Sequence, residues 1–552
     1  MAVNLRVRTL PATSRKSPRP SQYRTRPLPY DFSTITRPPQ SQFIVLVEID
    51  WDSGTKGYSY QEERKPLLDY EPLVKSISQI SRESPPTAQV VPVSNVRIVL
   101  FDSDSTLTKL KAAEPFYQRK VRVYAGDARY GFTGLSVVFT GRIQRVSFKN
   151  REVILYVRDT MYEQFRATLG DSLKVLVTST FPNLPGGTES HLVPIVYGNC
   201  GLNPTVDPPP TGYAGGGPVP CYRIDPSINS KWRYVVAQHL CVSVDYVFVY
   251  GVLQSSGYLI DTAVYDGVTM TVINFDSDPM IAGREAELEI TAAVQGISAD
   301  GVTLLENPLS VLKHFLNTYG SVLDTDLDLN LWTQATDLAS DNGYKSTFAL
   351  VDRRLTLLDI IERHCESFLI SFYTTKQSKY SVYLRISADS AGEVIAIAID
   401  LTDRIPIIKD SFQIDLNDDP ISTLQYNFMY QWVKDYFERQ PDYAIPNEAA
   451  KHIVVNRKSI NLWHVRHVPT AEGVVIQYGD LFRENTDYTT VDVTPDLFRS
   501  ADLNRWTTLT HYQGIAASGD GFVNEQMRIV EMHIEPKPTS TLLRLKLIRI
   551  PG

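Results

Sequence analysis

Apolar and polar residues alternate along much of this chain. A period of two puts one face of a strand in a core and the other in water. Residues 42–50, 96–101, 120–124 and 137–148 carry the pattern, and the last run turns at Lys149-Asn150 and returns through 153–157. In the returning strand Val153, Leu155 and Val157 share one face, while Ile154 and Tyr156 take the other. Between the first two strands, Leu73, Ile77 and Ile80 are spaced to face a core. Further strands are predicted at 232–237, 246–250, 269–275 and 285–291, then at 409–416 and 424–432. The chain closes on a hairpin, 528–535 and 542–547, with Val530, Met532 and Ile534 inward against Glu531, His533 and Glu535. This closing hairpin echoes the one at 142–158 in length and pattern. Antiparallel hairpins with no strand–helix alternation predict a mainly β, multidomain fold of barrels or sandwiches.

Helical spacing is concentrated in one region. Residues 307–320 start with Asn307-Pro308 and stop at Gly320, with Leu309, Leu312, Leu316 and Tyr319 on one side. Residues 356–368 place Leu357, Ile360, Ile361, His364 and Phe368 on an inner side. With strands expected at 368–373 and 381–386, this predicts a smaller α+β portion. Two punctuated stretches, 181–187 and 203–220, break the β pattern; the second has six prolines and four glycines and cannot be a central strand or helix. The expected organisation is an extended arm at 1–40, a β-barrel at 41–175, and a β-rich domain at 176–300 carrying the 203–220 loop. An α+β domain at 301–400 follows, then a second barrel-like domain at 401–552 with a long excursion at 433–505.

Composition narrows the class. The 552 residues are 43% hydrophobic and 21% charged, which fits neither a disordered chain nor a membrane protein as a whole. Four cysteines are no disulfide framework. Charge is uneven: residues 1–40 hold eight Lys or Arg and one acid, a formal +7, and the whole chain is −7, leaving −14 for the remainder. An acidic body argues against a nucleic-acid surface over most of the protein. The basic arm holds seven prolines and no periodic apolar face, so it is expected to be extended until it docks on a neighbouring subunit. It has no apolar signal segment, so synthesis in the cytoplasm is expected, and no run is long enough to span a membrane.

Several motifs invite chemistry. Residues 96–108 resemble the first motif of haloacid-dehalogenase-like phosphatases, an apolar strand followed by D-x-D-x-T. Carried over, Asp102 would be the nucleophile and Asp104 the acid/base beside Mg²⁺, with Asp480 as a distant metal ligand. The antiparallel surroundings, Ser105 in place of the usual glycine, and the remoteness of Asp480 favour a polar turn instead. Asp324, Asp326 and Asp328, with Asn330, suggest oxygen ligands for Ca²⁺, but Leu329 and Ala335 stand where an EF-hand needs Gly and Glu. His464 and His467 lack a third ligand, and Cys200, Cys221 and Cys241 lack zinc-site spacing. Cys365 adjoins His364, but neighbours on a helix do not face each other. The glycines at 212–217 have neither the Lys-Ser/Thr nor the strand-to-helix frame of a phosphate loop. No catalytic, cofactor or metal residue is therefore assigned. Trp232, Tyr234, Tyr246, Tyr250, Tyr426, Tyr430, Trp432 and Tyr436 suit protein interfaces or sugar stacking equally.

Against this background, residues 43–169 resemble the first β-domain of tail-hub proteins of tailed bacteriophages and gene-transfer agents. The matching residues are Ser94-Asn-Val-Arg-Ile-Val-Leu-Phe-Asp102 and the hairpin Phe139-Thr-Gly-Arg-Ile-Gln-Arg-Val-Ser-Phe148 into Val153-Ile-Leu-Tyr-Val-Arg-Asp159. His191-Leu-Val-Pro-Ile-Val-Tyr-Gly198 is similar to a short P-x-x-YG segment of siphophage hub and tip proteins. The resemblance implies a non-enzymatic virion structural protein at the tail tip or baseplate. It implies a homotrimer whose two barrels per chain make a quasi-sixfold ring. The ring would join a tail tube or distal tail protein to tip spike or fibre proteins, around a lumen that passes DNA and the tape-measure protein during genome ejection. A host-recognition or carbohydrate-binding tip protein is the alternative.

Overall fold

The computed structural model describes residues 43–549 apart from short internal stretches, the longer being 85–89, 128–134, 167–172, 280–289, 386–396, 401–406, 447–455, 494–501, 512–521 and 537–541. The arm at 1–40, most of the expected strand at 285–291, and parts of the 203–220 loop fall outside the described residues. The protein is mainly β, with several antiparallel sheets and a few helices.

Among the described residues the first large sheet has nine strands. Six of them lie in the order Phe43–Trp51, Lys120–Asp127, Leu135–Lys149, Glu152–Asp159, Val96–Phe101, Val74–Ile77. Alternation explains the burial: in Glu152–Asp159, Val153, Leu155 and Val157 are at most 1% exposed. The second large sheet runs Ile397–Asp400, Trp506–His511, Phe522–Glu535, Leu542–Arg549, Asp487–Val493, Gln413–Leu416. Its buried Met532, Ile534, Leu545 and Leu547 share one apolar core with Ile98, Ile143 and Val157 of the first sheet.

Between the sheets in sequence sit two further bodies. One holds a four-stranded sheet, Tyr222–Ile228, Lys231–Ala237, Val268–Phe275 and Tyr258–Tyr265, beside a sheet built on Cys241–Val249 and Ile290–Ile297. The other is α+β. Its helix Pro308–Tyr319 is capped by Asn307, whose side chain accepts from the amides of Leu309 and Ser310. Helix Leu357–Phe368 opens on a Thr356–Asp359 capping box and buries Ile360, Ile361, His364 and Phe368.

Three features depart from the sequence expectations. Helix Leu329–Asp341 follows directly on the acidic stretch that suggested a calcium loop. The long excursion expected at 433–505 carries regular structure among its described residues: strands Tyr436–Arg439, Asp442–Ala444 and Arg457–Asn461 and helix Val468–Leu481, ahead of strand Asp487–Val493 of the second sheet. Strand Thr423–Gln431 and that helix bury Leu424, Phe428, Val474 and Tyr478 in the α+β core rather than in the second sheet. Local alternation sets which residues are inward and leaves open which core they enter.

Candidate functional site

Asp102 ends strand Val96–Phe101, is buried, and accepts from the amides of Leu107 (2.8 Å) and Thr108 (3.1 Å) and from the Thr108 hydroxyl. Both oxygens are thus spent on the first turn of helix Thr106–Ala113, where a carboxylate satisfies amides that have no partner inside the helix. Asp104 is exposed and bonds to Thr106, which holds its carboxyl below the usual range. The strand carrying Asp102 pairs antiparallel on both sides, so there is no parallel-sheet edge for phosphatase chemistry. Asp480 lies on helix Val468–Leu481.

The acidic stretch is committed locally as well. Asp324 accepts from Asn317 (2.8 Å) and Lys313 (3.1 Å), and Asp326 from the amide of Leu323 (3.0 Å). Asp328 stands at the N-cap of helix Leu329–Asp341. Cys200, Cys221 and Cys365 are buried, and desolvation raises their thiols, keeping them protonated; Cys241 is raised to about 12 for the same reason. His464 and His467 turn to different partners: His464 Nδ1 lies 3.0 Å from His364 Nδ1, and His467 Nδ1 lies 2.9 Å from Thr470 Oγ1. His364 is held by the Pro308 carbonyl (2.8 Å), and burial pushes it down to about 4. Both members of the buried pair are therefore neutral, one donating and one accepting.

The feature with most bearing on function is a duplication. The central strands Lys120–Asp127, Leu135–Lys149, Glu152–Asp159 and Val96–Phe101 correspond in chain order, sheet order and direction to Trp506–His511, Phe522–Glu535, Leu542–Arg549 and Asp487–Val493. Each long hairpin strand is bulged against both neighbours, at Val137/Phe139 and Ile143/Arg145 in one, opposite Leu509/His511 and at Ile529/Glu531 in the other. The entry turn repeats bond for bond. Gln118 N donates to Ile143 O (2.8 Å) and Ile143 N to Arg119 O (3.0 Å); Asn504 N donates to Ile529 O (2.8 Å) and Ile529 N to Arg505 O (3.0 Å). Gln118 and Asn504 both have left-handed backbones, with φ of 64° and 60°. The sequence held this signal: Gln118-Arg119 precedes Arg142-Ile143 by the same 24 residues that separate Asn504-Arg505 from Arg528-Ile529. The echo between the hairpins at 142–158 and 528–547 covers part of this repeat, and the entry turn lies outside it.

One segment sews the copies together. Val74–Ile77 pairs with Val96–Phe101 of the first sheet, while the next strand, Ile80–Glu83, pairs with Phe522–Glu535 of the second. Farther on, Val90–Val91 joins the α+β sheet beside Ile370–Thr374. At the crossing, buried Arg82 reaches Asp502 (2.7 Å) and the Thr374 carbonyl, and Ser84 Oγ bonds to Ser371 (3.1 Å) and Asn504 (3.0 Å). Arg385 donates to Ser84 and Ser371, and burial together with the nearby Arg528 charge disfavours its charged form. Arg528 is 0% exposed, lies over the Tyr383 ring, and has no hydrogen-bond partner for Nε and Nη2 among the described residues.

Separately, a cleft of about 680 Å³ is lined by Arg353, Arg354, Arg363, Tyr430, Trp432 and His464, among others. Arg363 stacks over Trp463 at 4.5 Å, and Tyr430 packs against Phe437 and Trp463, each at 5.0 Å. Among the described residues no helix is long and apolar enough to cross a membrane.

No protein-family model matches the chain, and no curated protein matches it. Among solved structures it is similar to a tail protein from Neisseria meningitidis MC58, at 9% identity and a TM-score of 0.39, over 92% of this chain and 96% of the other. It is similar to the 43 kDa tail protein of prophage MuSo2 from Shewanella oneidensis, at 9% identity and a TM-score of 0.38, over 92% and 98%. A chain of the native gene transfer agent virion matches at 11% identity and a TM-score of 0.18, over 47% of this chain and 80% of that one.

Proposed function

We propose that this chain is a structural tail-hub protein of a tailed phage or phage-like particle, in which three copies present six quasi-equivalent sheets around the tail axis. The observation that carries the reading is the duplicated sheet, repeated down to the hydrogen bonds of its entry turn. A chain with two copies of one strand frame suits a threefold assembly that must meet a sixfold one, because the repeated frame can offer quasi-equivalent contacts to the same partner although the two sheets are differently surrounded within the chain. The buried carboxylate and the neutral, buried histidines support a role in architecture rather than catalysis. In the proposal the sheets meet a tail tube or distal tail ring on one side and tip components on the other, leaving a lumen for DNA and the tape-measure protein. Electron microscopy of assembled particles tests it. Three copies round an open axis, with six sheets at one radius, is the expected result; another copy number, or sheets at unequal radii, would overturn it.

A second reading is favoured by the arginine- and aromatic-lined cleft, which could seat a surface saccharide at the tail tip. It predicts loss of cell attachment by particles carrying Trp432→Ala, with particle assembly intact.

A further inference from the structure

We propose that Glu83, Glu531 and His533 bind a divalent transition-metal ion of the zinc type, pinning the connecting strand to the second sheet. The three belong to different parts of the chain. Glu83 ends strand Ile80–Glu83, and Glu531 and His533 are alternate residues on one face of strand Phe522–Glu535. The antiparallel ladder sets Glu83 opposite Glu531 and Ser81 opposite His533. One ligand atom from each of the three lies within 4.8 Å of the others. His533 Nε2 stands 3.3 Å from Glu531 Oε2, and its Nδ1 is fixed by Ser81 Oγ at 2.9 Å. A hydrogen bond on the far nitrogen is how proteins orient a metal-binding imidazole.

Charge points the same way. Two carboxylates directly across a ladder repel each other. Lys546 on the neighbouring strand answers one of them through Glu531 Oε1 at 2.9 Å, leaving Oε2 turned to His533. One imidazole with two carboxylates is a donor set for zinc and the later first-row ions rather than for calcium or magnesium. Glu83 is exposed, so its side chain is free to close the last distance, with water completing the shell. An ion here would tie the first half of the chain to the second at the seam between the two sheets.

The inference does not depend on the tail-hub reading and is tested on the isolated full-length chain. After treatment with a chelator, ZnCl₂ is titrated by calorimetry and the unfolding midpoint is followed. One ion per chain and a raised midpoint are expected, since a ligand held only by the folded state stabilises it. Glu83→Gln and His533→Gln should each weaken uptake at least ~10-fold, while Lys546→Met, which removes a competing cation, should tighten it. Circular dichroism of the Glu83→Gln protein guards against misfolding, because that side chain is exposed. No stoichiometric uptake, uptake unaltered in both ligand variants, or a preference for CaCl₂ over ZnCl₂ would each overturn the proposal.

Discussion

The two large sheets have the same central topology and opposite surroundings. In the first, Arg142 is exposed and donates to the Gln118 carbonyl at 3.0 Å. Its counterpart Arg528 is wholly buried under Tyr383 of the α+β body. The first sheet carries its entry-turn arginine, Arg119, on Asp52 at the surface, whereas the crossing beside the second sheet is closed by Arg82 on Asp502 with side chains 4% and 16% exposed. Even the outer strands differ: Phe43–Trp51 pairs antiparallel, Ile397–Asp400 parallel. One element has thus been used once as an open face and once as a foundation. The backbone bonds that define the turn were kept in both, because a bulged strand needs those partners wherever it sits.

The largest expected effect separates the two ion pairs. Arg82→Ala leaves the half-buried Asp502 carboxylate without its guanidinium partner and removes a bond to Thr374, so it should cost about 3 kcal/mol in chemical denaturation. Arg119→Ala, at an exposed pair, should leave the transition in place. Equal losses would erase the distinction between face and foundation. Ile143→Ala and Ile529→Ala test the likeness instead. Both residues are 0% exposed in the same core, and each should lose about 2–5 kcal/mol; a near-zero cost at one of them would break the equivalence of the turns.

Acid should divide the regions next. No histidine occurs between residues 43 and 159, whereas the second sheet holds His511, which burial pushes down to about 4, and the α+β core holds His364, also at about 4. Below pH 6.5 the unfolded chain takes up protons that these folded sites refuse. Stability is therefore full above that value and falls as pH drops towards 4. Hydrogen exchange at pH 5 and pH 7 should show protection lost in 506–511, 522–535 and 357–368 before 135–157; uniform loss would contradict it.

The smallest effect lies in the turns themselves. Gln118→Gly relieves a left-handed non-glycine residue and should stabilise by at most about 1 kcal/mol. Asn504→Gly has less strain to relieve, since Asn tolerates that conformation. It also deletes the bond from Ser84, so it should destabilise by about 1 kcal/mol. The same sign for both would mean that the connecting strand adds nothing at the second turn.

Much of the fold was legible in the sequence: the hairpins at 137–157 and 528–547, the capped helices at 307–320 and 356–368, and the α+β character between them. The candidate metal site was legible only as an outward pair, Glu531 and His533, because its third member lies more than four hundred residues away on Glu83. Helix Leu329–Asp341 was hidden behind carboxylates that read as ligands and serve Lys313, Asn317 and a helix start.

What the sequence by itself determined is local: which residues alternate, where backbone conformation is forced, and which side chains must leave water. These follow from periodicity, capping and sterics, each acting over a few residues. Only the tertiary structure decided the rest. It sent strand Thr423–Gln431 and helix Val468–Leu481 into the α+β core, laid Ile80–Glu83 on a sheet from the far end of the chain, and buried Arg528 while leaving Arg142 in water. Those choices depend on the total apolar area and hydrogen bonding of alternative packings, and any strand with an apolar face can satisfy more than one of them.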